Sequence, residues 1–269
     1  MRNSHLQRRM IQAHTNHGVV NRAYWVSPDA KVPNPPHGSH PTKPSDRVSV
    51  GYTLFHKDTN QKVAHALEAI GSVHSVPNTI YKLPIKLVGA VDHTEESFGQ
   101  YITGGKKLLH PKSAIHLEKG ADGAGFHLLH EYGHYLDHHL FGTGEYSMRA
   151  MGTFRGGKEL LPLMRAISKS ESFKAVLKQH ERNKAQNHTA RLNVTTYLLR
   201  PPELFARAYS QYIATRSGSK ELRAQFVKDE TAWREYGYMA HWNTPAFKPI
   251  AREFDQLFKN RGLLSGDHR

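Results

Sequence analysis

The chain has 269 residues, with 37 Lys and Arg against 23 Asp and Glu, 20 His and no Cys. At roughly 150 residues per domain this makes one domain or two, long enough to bury a core without covalent staples. Absence of cysteine excludes disulfides, thiolate metal sites, iron–sulfur clusters and a Cys nucleophile. No stretch approaches the roughly twenty apolar residues of a membrane-spanning helix. The net charge of +14 favours anionic partners such as nucleic acid, acidic protein or a membrane surface. The first twenty residues are basic but lack an apolar core. No secretory signal is therefore expected, and the expected setting is cytoplasmic, virion-associated or that of an injected effector.

Residues 1–47 read as a basic, Pro- and His-rich arm that packs poorly. Six of the 14 prolines fall between Pro28 and Pro44, and closely spaced prolines remove donors and oppose both helix and central strand. The arm is the expected contact for a polyanion or nucleic acid. Residues 48–269 read as one α+β domain. VSVGYTLF (48–55) suits a strand. Asp58 or Thr59 can cap a helix whose apolar face is Val63, Leu67 and Ile70. IKLVGAV (85–91) is a buried strand and SAIHL (113–117) a second, joined by a Gly- and Lys-containing connection. A helix is expected from about 125 to 140, then helices at 158–169 and 171–185. Pro201 and Pro202 suit the first turn of the helix PPELFARAYSQYIA. In the last helix Thr244 is the expected cap and Pro245 the start. Phe247, Ile250, Phe254 and Leu257 form its buried stripe, and Gly262 its end. Tyr209, Tyr212, Trp233, Tyr236, Tyr238 and Trp242 read as core and cleft wall rather than a base-stacking platform.

The chemistry lies in FHLLHEYGHYLDHH, which contains His130-Glu131-x-x-His134. Residues i and i+4 share one helix face, so two imidazoles so placed can reach one Zn²⁺. Glu131 lies beside them as a base for water acidified by the metal. Gly133, within the motif, leaves room for close backbone approach at a helix cost of about 1 kcal/mol. His127 and His138 share the His face and compete as ligands, but only the His130/His134 pair has a carboxylate directly after its first His. The opposing interpretation is a His-rich solvated helix. A third ligand must be His, Asp or Glu. The position six residues after His134 is Leu140, so the pattern HExxHxxGxxH is absent. Glu203 is the best candidate, since it opens a helix continuing with apolar Leu204, Phe205 and Ala208, where an unpaired carboxylate is costly. A first-turn acid favoured by the helix dipole is the alternative.

HEYGHYLDH followed by PPELFARAYSQYI resembles the gluzincin metallopeptidase domains related to anthrax lethal factor. It is also similar to the zincin-type domains of phage, mobile-element and polymorphic-toxin proteins, over about residues 80–215. The resemblance implies a zincin-like α+β fold in which a small sheet with an edge strand packs on the HExxH helix and a Glu-bearing helix. It implies zinc on His130, His134 and Glu203, with Glu131 as general base and acid. It gives Tyr197 the role of oxyanion donor, Asp137 that of orienting a ligand imidazole, and SAIHL (Ile115, His116, Leu117) that of the edge on which an extended peptide pairs. The sequence departs from those relatives in carrying Tyr209-Ser210-Gln211 where an aromatic is followed by an acid. The implied function is a zinc metalloendopeptidase acting on a protein or peptide, of phage-associated or toxin type. Its competitor is a basic nucleic-acid-binding or virion structural protein that keeps a structural or degenerate zinc site. A structural site is closed by four protein ligands, whereas three ligands leave a position open for chemistry.

Overall fold

The structure, a computed structural model, describes residues 40–50, 57–80, 83–88, 99–102, 114–118, 120–142 and 158–265. It is mostly helical with a small sheet, an α+β arrangement. Six strands are described: β1 (Pro41–Thr42), β2 (Val48–Val50), β3 (Val76–Pro77), β4 (Leu83–Val88), β5 (Gly99–Ile102) and β6 (Ala114–Glu118). Eight α-helices are described: α1 (Lys57–Val73), α2 (Ala124–Leu136), α3 (Leu161–Lys169), α4 (Glu171–Ala185), α5 (Thr189–Leu198), α6 (Pro201–Arg216), α7 (Lys220–Glu235) and α8 (Thr244–Asn260). None of the described helices is long and apolar enough to cross a membrane.

The main sheet has the order β2-β4-β6-β5. β2, β4 and β6 run parallel, with Val50 opposite Ile85 and Ile85 opposite Ile115. β5 runs antiparallel to β6, with Tyr101 opposite Ile115. This corrects the expected edge. SAIHL is not at the rim: Ile115, His116 and Leu117 lie in β6, between β4 and β5, and among the described residues the outer strand on that side is β5. Leu83, Ile85, Ile115 and Leu117 are fully buried, as expected of strands with neighbours on both sides. β5 falls within the expected connection because its four residues, Gly-Gln-Tyr-Ile, are too short for an alternating pattern to register.

The arm boundary also moves. Residues 1–39, and with them most of the expected polyanion contact, lie outside the described residues. Residues 40–47, however, pack on the domain. β1 pairs with β3, the Asn78 N–H donates to the His40 carbonyl at 2.8 Å, and Arg47 Nε donates to the Ile80 carbonyl at 3.1 Å. Proline tolerates these positions because they need no ladder donor: Pro41 is in a two-residue strand, and the buried Pro44 opens a 3₁₀ turn.

Several helix ends differ by a residue or two from expectation. α1 begins at Lys57, ahead of Asp58 and Thr59. Asn243, not Thr244, caps α8, its side chain accepting from the Ala246 N–H at 2.9 Å, because the extended residue before the first helical one is the cap. Phe247, Ile250, Phe254 and Leu257 are buried as expected, and Phe258 joins them. α2 packs across α6, with α1, α7, β5 and β6 on its other sides. The core between α6 and α8 is aromatic: the Tyr212 and Phe254 rings stack with centroids 4.9 Å apart. Of the expected aromatic cluster, Tyr209, Tyr212, Tyr238 and Trp242 are buried and Trp233 packs against the core. Tyr236 points to solvent.

Candidate metal centre

α2 buries Leu128, Leu129, Tyr132, Tyr135 and Leu136 and turns its histidine face toward α6. Gly123 at its N-terminus offers no side-chain cap. One of the free N–H groups of the first turn is instead satisfied from α7, where Gln225 Oε1 accepts from the Phe126 N–H at 2.8 Å. The His130 and His134 rings stand nearly perpendicular, with centroids 4.8 Å apart. After Leu136 the helix widens into a π-helical stretch over Asp137–Phe141, a rare conformation frequent at functional sites.

Glu203 reaches this face because α2 and α6 cross closely at Gly133. A Cβ on Gly133 would lie 2.9 Å from Ala206 Cα and 3.2 Å from Tyr209 Cδ1. The glycine therefore has a steric reason, which offsets its cost in a helix interior. From the first turn of α6, Glu203 places Oε2 at 3.3 Å from His130 Nε2 and Oε1 at 3.4 Å from His134 Nε2. The three donor atoms lie within 4.8 Å of one another.

Glu203 Oε2 is buried yet makes no aligned hydrogen bond. An oxygen buried without an aligned donor is costly, and the donor atoms, Oε2 opposite His130 Nε2 and Oε1 opposite His134 Nε2, leave a gap between them. One cation would fill that gap. Two nitrogens and a carboxylate oxygen suit zinc, with room for a further ligand. Among the described residues no other group of His, Asp and Glu converges in this way. The competing histidines are accounted for otherwise. His127 is a turn away and held neutral, with burial lowering its pKa to about 4. His138 is buried beside the Tyr101 ring, centroids 6.0 Å apart.

The electrostatics follow from burial and proximity. Burial alone would lower the pKa of His134, but the Glu203 carboxylate outweighs it and raises the value to about 9, aided by Glu131 and Asp137. Glu203 is the converse: burial opposes its charge, and the His134 and His130 contacts hold its pKa well below the usual carboxylate range. Glu131 is buried, and burial raises its pKa, countered in part by the two histidines and by the Tyr101 backbone N–H that donates to it. Edge strand β5 thus runs beside the base. Asp137, fully buried, adds its charge near His134 without joining the donor group.

Tyr197, in the last turn of α5, is brought to the same place. Its phenol pKa rises well above the ordinary value, chiefly through burial and then through the nearby Glu203 and Glu131. Behind it the buried Arg207 donates to the Leu198 and Ala240 carbonyls. His130, Glu131, His134, Tyr197 and Glu203 therefore come together, whereas Ile115, His116 and Leu117 stand one strand away. Tyr101, Arg200 and Arg207 were not anticipated. Arg207 carried the one available signal, an arginine among apolar residues four positions after Glu203. Comparison with family models, curated proteins and solved structures returned no match.

Proposed function

We propose that this chain is a zinc-dependent peptidase of the gluzincin type. The observation that carries this reading is the three-donor group His130, His134 and Glu203, with the buried carboxylate Glu131 directly beside it. Three ligands leave a coordination position for chemistry, where a structural site would be closed by a fourth. When bound, zinc would supply Lewis acidity, acidifying water and polarising a carbonyl.

The chain's own residues supply the rest. His130 and His134 present Nε2, and Glu203 presents the carboxylate oxygens that face them. Glu131, made more basic by burial, accepts a proton from the attacking water and returns it to the leaving amine. The Tyr197 hydroxyl, kept protonated by its surroundings, donates toward the developing oxyanion. Asp137 biases the His134 imidazole electrostatically. β5, rather than Ile115–Leu117 in β6, offers an outer edge to an extended peptide.

The test has two parts. Zinc should bind at about one equivalent per chain and be removed by chelator, and Glu203→Ala should weaken it strongly. Glu131→Gln should keep zinc and fold while losing roughly 10²–10⁴-fold in peptide hydrolysis. A chain that takes up no zinc, or a Glu131→Gln variant that cleaves as fast as wild type, overturns the reading.

A further inference from the structure

Arg200 sits at the corner between α5 and α6, halfway between Tyr197 and Glu203. Its backbone is held on both sides: its N–H donates to the Tyr197 carbonyl at 3.0 Å, and its carbonyl accepts from the Leu204 N–H at 2.9 Å. Its side chain is exposed, with the guanidinium carbon 5.9 Å from the centre of the Tyr197 ring. A cation over an aromatic face is held there electrostatically. Arg200 makes no ion pair among the described residues, and Glu203, three positions away, is turned inward to the histidines. Arg216 and Arg234, by contrast, are paired, at 3.3 Å from Asp255 and 2.7 Å from Glu230; what sets Arg200 apart from the other unpaired surface cations is its place over the Tyr197 ring.

We propose that Arg200 binds a carboxylate of the substrate within one or two residues of the scissile bond. The inference rests on the peptidase reading above. A guanidinium is a planar fork matched to a carboxylate. Here its guanidinium carbon lies 5.9 Å from the centre of the Tyr197 ring, and successive residues of an extended peptide advance only about 3.3–3.6 Å. Buried Arg207 adds positive charge behind the same tyrosine. The carboxylate has two sources, an Asp or Glu side chain near the cleaved bond or the free C-terminus.

The experiment uses the zinc-loaded full chain and one peptide core in matched versions. These carry Glu or Gln at each of the two positions either side of the bond, and a free or amidated C-terminus. The wild type should favour the version carrying the read carboxylate by about tenfold in kcat/KM, mainly through KM. Arg200→Gln should equalise the two versions at unchanged zinc content, and Arg200→Glu should reverse the preference toward Gln. Sensitivity to amidation identifies the C-terminus; sensitivity to Glu→Gln identifies a side chain. Equal rates for all versions with the wild type, or a preference that survives Arg200→Gln, overturn the proposal. If no peptide is cleaved, the peptidase reading fails separately. Fluorescence anisotropy of the labelled peptides on zinc-loaded Glu131→Gln chain then still decides the role of Arg200: tighter binding of one carboxylate version, lost on Arg200→Gln, supports it, and equal binding overturns it.

Discussion

At the scale of single residues, two histidines show how one side-chain type is driven in opposite directions. His74 is fully buried, stacked on Phe258 at 3.8 Å between ring centroids. Its Nδ1–H donates to the Ser75 carbonyl at 2.8 Å, which leaves Nε2 to accept from the Tyr209 hydroxyl at 2.8 Å. Burial lowers its pKa to about 4, against the raising effect of that carbonyl. The unfolded chain, with His near 6.5, binds more protons between those values. Stability is thus full above about pH 6.5 and falls as pH drops toward about 4. Urea denaturation of metal-free protein should show a loss of about 2 kcal/mol from this residue between pH 7.5 and 5. His74→Gln should flatten the slope, and equal slopes would exclude His74 as its source. His134 goes the other way. With its pKa raised to about 9, it carries a proton at neutral pH that a metal must displace. Zinc binding at pH 7 should release about one proton, read from binding enthalpies in buffers of different ionisation heat, and apparent affinity should rise with pH up to about 9. Buffer-independent enthalpy would rule this out.

At the scale of elements, the crossing of α2 and α6 governs the site. Gly133→Ala improves helix propensity by about 1 kcal/mol, but its methyl meets the Ala206 backbone rather than a flexible side-chain tip. Overpacking of this kind costs about 1–3 kcal/mol and must push Glu203 away from the histidines. The expected result is lower stability by urea unfolding together with weaker zinc binding by competition titration. A variant with unchanged zinc affinity would show that this contact does not set the ligand geometry. Both helices were legible in the sequence, since the i, i+4 histidines, the prolines before Glu203 and the apolar run each follow local rules. α5, which carries Tyr197, and α7, which caps α2 through Gln225, were not. α5 (TARLNVTTYL) is rich in β-branched residues and lacks a sharp apolar stripe, and α7 has only Leu222 and Phe226 buried. Such helices owe their existence to tertiary packing, which a local pattern does not display.

At the scale of the molecule, the donor group joins distant parts of the chain. His130 and His134 stand beside the sheet, whereas Glu203 comes from the helical half. The third member of the donor group could be narrowed from residue types, but strand order could not. It depends on which short segment captures the outer ladder of β6, and four residues of β5 decide that. The close passage of Gly133 over Ala206 has a consequence for motion as well. Two helix backbones that nearly touch leave no volume for partial separation, and α1, α7 and the aromatic core pack over them. Opening there requires the whole domain to come apart rather than a segment to fray. Backbone amides of residues 129–136 and 205–212 should therefore be the slowest to exchange with deuterium, at rates that follow global unfolding as urea is added. Exchange there through a urea-independent route would mean that the two helices separate while the rest of the domain stays folded.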